Sequence, residues 1–259
     1  MKNPKNIVIT GASSGLGAAL ALHYAAPGVT LYLQGRNARR LQTSAEACRQ
    51  RGAVTHEQLL DVTVEAAMRS WLENADAATP IDLIIANAGI SAGSGADGES
   101  SQQVKHIFAT NIDGVVHTIQ PLLPAMTRRK HGQIAIISSL AGIRGLPSCP
   151  AYSASKNAVR AYGEALRGWL GKHRVEVSVV CPGYIRTNMT QANTFPMPMI
   201  IDAGTAARKI AAGLARNQSR IAFPLALYLP LYLMNCLPTF LTDPFFARLP
   251  AKPSVENPA

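Results

Sequence analysis

A chain of 259 residues, 47% of them hydrophobic, is long enough to bury one large core. Its four cysteines, Cys48, Cys149, Cys181 and Cys236, lie far apart with neither a CxxC pair nor zinc-site spacing, which argues against a disulfide or zinc scaffold and for buried thiols in a reducing compartment. The formal charge of +10 raises nucleic acid as a partner, but the basic residues form no stripe. Clusters such as Arg128, Arg129 and Lys130, or Lys172 and Arg174, fall at predicted helix C-termini, where cations complement the helix dipole, so no nucleic-acid partner is expected.

At the N-terminus, Met1, Lys2 and Lys5 precede an apolar stretch, Ile7 to Ile9, that is too short for a signal-peptide core, and a cytoplasmic location is expected. That stretch belongs to the first of six β-rich runs, at residues 6–10, 29–34, 53–60, 82–86, 133–138 and 175–180, whose apolar character suits parallel strands buried on both faces. Helical patterns follow them at 15–25, 38–50, 64–76, 101–127, 152–171 and 204–216, and a last strand is expected at Arg220–Phe223. The repeated βα unit predicts an α/β fold with a single doubly wound parallel sheet, helices on both faces, and a ligand site outside the carboxyl ends of the strands. Residues 1–223 are read as one domain and 224–259 as its apolar, proline-interrupted extension. Two irregular stretches, GISAGSGADGESS (89–101) and TQANTFPMPMIIDAG (190–204), are expected to be mobile loops.

The loop TGASSGLG, residues 10–17, leaves the first strand and opens the first helix. In that setting Gly11 permits a tight turn, Gly15 lets backbone amides approach a pyrophosphate, and Gly17 lets the helix pack on the sheet, with Ser13, Ser14 and Leu16 completing the loop. A glycine-rich turn with no ligand is the alternative.

With DVT at 61–63, NAG at 87–89, Asn111, ISSLAG at 137–142, YSASK at 152–156 and PGYIRT at 182–187, the sequence resembles the short-chain dehydrogenase/reductases over about residues 5–220. The resemblance implies a Rossmann fold, an NAD(P)-dependent oxidoreductase acting on a carbonyl or alcohol, and a homodimer or homotetramer. By the same resemblance Asp61 would bond the adenine with Val62 beside it, Asn87, Ala88 and Gly89 would close the cofactor floor, and Pro182, Gly183, Ile185 and Thr187 would frame the nicotinamide. Tyr152 would be the general acid and base, Lys156 would bind the ribose, Ser139 would bond the substrate oxygen, and Asn111 would hold a water linking Lys156 to solvent. Ser139 is preferred to Ser138 on the family's thirteen-residue offset to the tyrosine.

Physical chemistry supports the pairing of tyrosine and lysine. Tyr152 and Lys156 lie four apart near a helix start and share a face, and an ammonium beside a phenol of pKa about 10 favours the phenolate. At the end of the second strand the chain reads Gln34, Gly35, Arg36, with no carboxylate there to repel a 2′-phosphate and a guanidinium to bind one, so NADP(H) is favoured and NAD(H) stays open. His23, His56, His106, His117, His131 and His173 show no ligand spacing, and no metal is expected.

After Arg220 come twenty-one uncharged residues, 221–241, broken by Pro224, Pro230 and Pro238. A membrane-spanning helix is not expected there. A tail packed over the substrate pocket or a subunit surface is preferred to a segment resting on a membrane. With Leu140, Leu146, Tyr184 and Met189 it suggests an extended or partly apolar alcohol or ketone as substrate. The rival readings are a catalytically idle cofactor-binding scaffold and a membrane-surface protein of the same fold.

Overall fold

The computed structural model describes every residue except 96–97, 192, 249, 251 and 253–259. The first half runs β1 (Asn6–Ile9), α1 (Gly15–Tyr24), β2 (Thr30–Gly35), α2 (Ala38–Arg49), β3 (Val54–Leu59), α3 (Glu65–Ala78), β4 (Leu83–Ala86), α4 (Ser101–Phe108), α5 (Gly114–Ile119) and α6 (Leu123–Arg129). The second half adds β5 (Gln133–Ile137), α7 (Pro150–Gly171), β6 (Glu176–Pro182), β7 (Ile185–Arg186), α8 (Asn188–Gln191), β8 (Ile201–Asp202), α9 (Ala203–Ala215), β9 (Arg220–Phe223), α10 (Leu225–Asn235) and α11 (Thr239–Phe246).

Seven parallel strands form one sheet in the order β3-β2-β1-β4-β5-β6-β9. Strand alternation sorts the core into two layers. Ile7 and Ile9 face α1, α2 and α9 through Leu16, Leu20, Leu41, Ile210 and Leu214. Val8 faces the opposite layer, built from Met68, Leu72, Ile119, Met126, Val159 and Leu170. The order of strand addition reverses between β1 and β4, which pair in parallel, and this opens a crevice at their carboxyl ends.

Several sequence expectations are corrected. The run 101–127 is not one helix: a π-helical turn spans Ala109–Asp113 and a 3-10 turn spans Gln120–Leu122. Pro121 and Pro124 have no N–H to continue an α-helical ladder, which accounts for the second break. β3 is not buried on both faces, because it is the sheet edge, and Val54 and Leu59 are each 54% exposed. Cys48, Cys149 and Cys181 are buried, but Cys236 lies exposed at the end of α10. Pro230 does not interrupt the tail, since it sits inside α10, while Pro224 and Pro238 precede α10 and α11 as N-caps. The stretch 190–204 is not wholly irregular: it holds the end of α8, β8 and the start of α9, with Ile201 paired to Ile185 of β7, while residue 192, like 96–97 of the loop 89–101, lies outside the described residues.

Arg129 donates from Nη1 to both oxygens of Asp76 at 2.8 Å and from Nη2 to the Ile81 carbonyl at 2.6 Å, so its charge is spent inside the fold. Among the described residues no helix is long and apolar enough to cross a membrane.

Candidate active site

Every residue singled out at a strand end converges on one cavity of about 1000 Å³, except Gly17 and Asn111, which lie just behind its wall. Its floor is the glycine loop. Gly11 has φ +67° and Gly15 φ +55°, in the region glycine favours. A Cβ on Gly17 would stand 2.2 Å from the Gly11 carbonyl oxygen and 2.7 Å from Asn87 Nδ2, so this glycine admits both the loop and the residue after β4 against the helix. Asn87 pins the same loop: its Nδ2 donates to the Thr10 carbonyl at 2.9 Å, and its own amide donates to Thr10 Oγ1 at 3.1 Å. The Ala88 amide shares that hydroxyl at 3.2 Å.

The cavity fits a dinucleotide. Ser14 makes no side-chain cap, and α1 has no acidic residue in its first turn, so the first amides of α1 are left to an anion at the cavity wall. Thr110, 5% exposed and part of the lining, has a buried Oγ1 with no protein partner. Thr187 overhangs the loop, its Cγ2 only 3.1 Å from where a Cβ on Gly15 would be. Ser13, Leu16, Gly89, Pro182, Gly183 and Ile185 complete this part of the lining.

Where β2 and β3 end at the cavity, Gly35 of β2 is in register with Leu59 of β3, and this carries Arg36 and Asp61 together with Nη1 3.2 Å from Oδ2. A carboxylate does therefore stand beside Arg36, supplied from the end of β3 rather than β2. Burial alone would raise the Asp61 carboxyl, but hydrogen bonds from the Thr63 amide and hydroxyl and from Arg36 outweigh it and hold the carboxyl below its ordinary range. Arg40, which the sequence reading passed over, also lines the cavity, its amide bonded to the Asn37 side chain that caps α2. Val62 is buried beneath α5, where a Cβ on Gly114 would meet it at 2.6 Å.

At the opposite end α7 delivers Tyr152 and Lys156. Lys156 is 4% exposed, donates from Nζ to the Ile137 carbonyl at 3.0 Å, and lies 5.8 Å from the centroid of the Tyr152 ring. Burial lowers its ammonium to about 8. The apolar surroundings of Tyr152 push its phenol up to about 12, with only partial relief from the Ser139 hydroxyl. Desolvation thus prevails over the lowering expected from the neighbouring lysine.

Ser138 and Ser139 separate by contact. Ser138 Oγ is consumed by the Lys156 carbonyl at 2.7 Å, whereas Ser139 Oγ accepts from the Ala141 amide at 3.1 Å and faces Tyr152. Asn111, fully buried in the π-helical turn, accepts from the Ile90 amide at 2.8 Å and donates to the Ile90 carbonyl at 2.9 Å. Its second amide hydrogen goes to Ser155 Oγ at 3.0 Å. This two-sided clamp fixes the backbone after β4. Ser155 was missed in the sequence although it lies inside YSASK.

Leu140, Leu146, Tyr184 and Met189 line the cavity beyond Tyr152, and α10 and α11 roof it with Leu227, Leu231, Met234 and Phe246. Phe195, packed edge-on against Tyr184 at 6.2 Å, and Lys252 join them, neither read as a site residue beforehand. Among the described residues no cluster of His, Cys, Asp or Glu could hold a metal.

A family model described as short chain dehydrogenase matches residues 5–196. The chain is 35% identical over 246 residues to an uncharacterized oxidoreductase of Myxococcus xanthus, covering 95% of this chain and 97% of that protein. It is 40% identical over 193 residues to dehydrogenase/reductase SDR family member 7B of Bos taurus, covering 71% of this chain and 59% of that protein. A short chain dehydrogenase/reductase from Burkholderia phymatum in complex with NAD superposes with a TM-score of 0.82 at 25% identity, covering 97% of this chain and 98% of that one. A short-chain dehydrogenase from Sphingobium yanoikuyae in complex with NADPH gives a TM-score of 0.80 at 21% identity, covering 97% and 99%, a likeness of fold alone.

Proposed function

The chain belongs to the short-chain dehydrogenase/reductase family and is an oxidoreductase acting on CH–OH or C=O groups with a nicotinamide cofactor; from that premise we propose that it is an NADP(H)-dependent reductase of extended, partly apolar ketones or aldehydes, with Tyr152 as general acid and base. The observation that carries this reading is that Ser139, Tyr152 and Lys156 line one end of the cavity that the glycine loop floors.

The nicotinamide supplies or accepts the hydride. Tyr152 holds its proton at neutral pH and gives it to the substrate oxygen during reduction. Ser139 Oγ donates to the same oxygen as charge develops on it. Lys156 holds the nicotinamide ribose and places positive charge beside the phenol, and Asn111 positions this end of the cavity through Ile90 and Ser155. Two guanidinium groups, Arg36 and Arg40, border the adenosine end against the single carboxylate of Asp61, which favours a 2′-phosphate. Screening ketones, aldehydes, steroids and sugar derivatives with NADPH and with NADH, following absorbance at the nicotinamide band, tests this. Reduction of apolar carbonyls with NADPH is expected, and equal use of NADH would remove the cofactor preference.

On this reading residues 1–223 are the cofactor-binding and catalytic domain and 224–259 its extension, in a cytoplasmic homodimer or homotetramer; sedimentation reads the oligomeric state. A second reading is favoured by the outer face of α10 and α11, where Leu225, Leu229, Leu233, Phe240 and Leu241 are all exposed beside the cavity roof. On that reading the tail rests on a lipid surface. Flotation with liposomes decides between the two.

A further inference from the structure

Beyond Tyr152 the cavity holds a second ammonium group to which the reading above gives no task. Lys252 reaches it from the far end of the chain. Its carbonyl accepts from the Gly95 amide at 3.0 Å, and its backbone crosses Gly93 so closely that a Cβ there would stand 2.2 Å from the Lys252 carbonyl oxygen. The side chain then enters the cavity, donates to Ser91 Oγ, and places Nζ 5.1 Å from the centroid of the Tyr152 ring.

No carboxylate among the described residues forms an ion pair with it. Burial lowers its ammonium from the ordinary lysine range, a cost that an anion beside it would offset. Lys156 already has its task on that reading, at the ribose and the phenol, with one N–H given to the Ile137 carbonyl at 3.0 Å. Away from the cation the walls are apolar, with Leu227, Leu231, Met234 and Phe246 running under α10 and α11. Charge beside the reacting tyrosine and hydrocarbon beyond it describe the complement of an amphiphile.

Resting on the hydride-transfer reading, we propose that Lys252 binds the anionic headgroup, a carboxylate or a phosphate monoester, of a substrate whose carbonyl lies at Tyr152 and whose hydrocarbon chain lies against α10 and α11. Lys252 is then a specificity-determining residue supplied by the C-terminal tail.

Octyl phosphate, octanoate and octanol, titrated into the NADPH-bound full chain with cofactor fluorescence as readout, test the site without turnover. Lys252→Met is expected to weaken octyl phosphate or octanoate by about tenfold or more, the loss of one charge-assisted hydrogen bond, and to leave octanol and NADPH within about twofold. Lys252→Arg should retain most of the anion binding. Whichever anion loses more identifies the headgroup. Equal effects on all three probes, tighter octanol binding with the anions unchanged, or a matching loss of NADPH affinity would each overturn the proposal.

Turnover separates this proposal from the reading beneath it. A long-chain methyl ketone and the corresponding β-keto acid should differ in KM for the native chain and converge in Lys252→Met. A chain that binds the anions through Lys252 but reduces neither compound would fail the hydride-transfer reading alone. One that reduces both with equal KM before and after substitution would fail this proposal alone.

Discussion

Arg36 and Asp61 face each other across the ends of β2 and β3, Nη1 to Oδ2 at 3.2 Å, at the place where the adenosine ribose is proposed to lie. A 2′-phosphate there would draw the guanidinium away from the carboxylate, so the two residues should act in opposite directions on cofactor choice. Arg36→Ala removes the cation and leaves Asp61 unopposed. It is expected to weaken NADPH by roughly 1.5 to 3 kcal/mol, about a tenfold or larger rise in Kd, with NADH much less affected. Asp61→Asn should tighten NADPH relative to NADH. Fluorescence titration of both cofactors checks this, and equal shifts for the two would remove Arg36 as the reader of the phosphate.

Tyr152→Phe takes away the proton donor but little of the cofactor contact. Turnover should fall to background while NADPH affinity stays within about twofold. Lys156→Ala should lose both, because its ammonium serves the ribose as well as the phenol. Retention of most of the activity in Tyr152→Phe would sink the assignment of the general acid.

Burial of Lys156 carries a pH signature in stability. Its ammonium titrates at about 8 in the folded chain against 10.5 for the free side chain. Between these values the unfolded chain binds the extra proton, so this group makes stability rise with pH over that window. Below about pH 8 both states are charged and the full cost of burying the ammonium is present; above about 10.5 both are neutral and it is gone. Lys156→Met never bears that cost. Its stability relative to the native lysine should therefore be greater at pH 7 than at pH 10.5, by about 3 kcal/mol. Urea unfolding of the two chains without cofactor at each pH measures the change, and a constant difference would show that Lys156 is not strained by its charge.

What was legible in the sequence divides along a physical line. Alternating apolar runs and 3.6-residue periodicity reported the sheet and its helices, because both patterns arise within a dozen residues of one another, and β9 was placed at its observed bounds, Arg220–Phe223. The convergence of TGASSGLG, Ser139, Tyr152 and PGYIRT on one cavity follows from strand order and was foreseen for the same reason. Pairings set by register were hidden. Asp61 meets Arg36 only because β3 lies beside β2, and the edge position of β3 exposes residues that looked buried. The π-helical turn under Asn111 and the bond of Asn111 to Ser155 come from packing between α4, α5 and α7, which periodicity does not encode. Lys252 lies 161 residues from Ser91, and nothing local marks it as a cavity residue.

The roof of the cavity gives the last prediction. Arg144, on the loop after β5, donates from Nη2 to Asp243 Oδ1 at 2.8 Å and to Thr242 Oγ1 at 3.1 Å, and its guanidinium lies 5.3 Å from the centroid of the Phe246 ring. These contacts latch α11 over the substrate end, while the residues around the glycine loop all precede Pro224. Truncation after Pro224 keeps the Gly183 amide bonded to the Phe223 carbonyl at 2.8 Å but removes the apolar roof. It should raise KM for a neutral long-chain ketone by roughly tenfold or more, the loss of a few buried methylene contacts, with NADPH affinity within about twofold. Arg144→Ala should move KM in the same direction by less, and it serves as the control if the truncated chain folds poorly. The second reading has its own signature: no lysine or arginine lies between Ile221 and Ala247, so liposome binding through this tail should change little from low to physiological salt, since screening acts on charge rather than on apolar burial. Unchanged KM in both variants would detach the tail from the substrate, and a steep fall of liposome binding with salt would assign that binding to the basic clusters elsewhere on the chain.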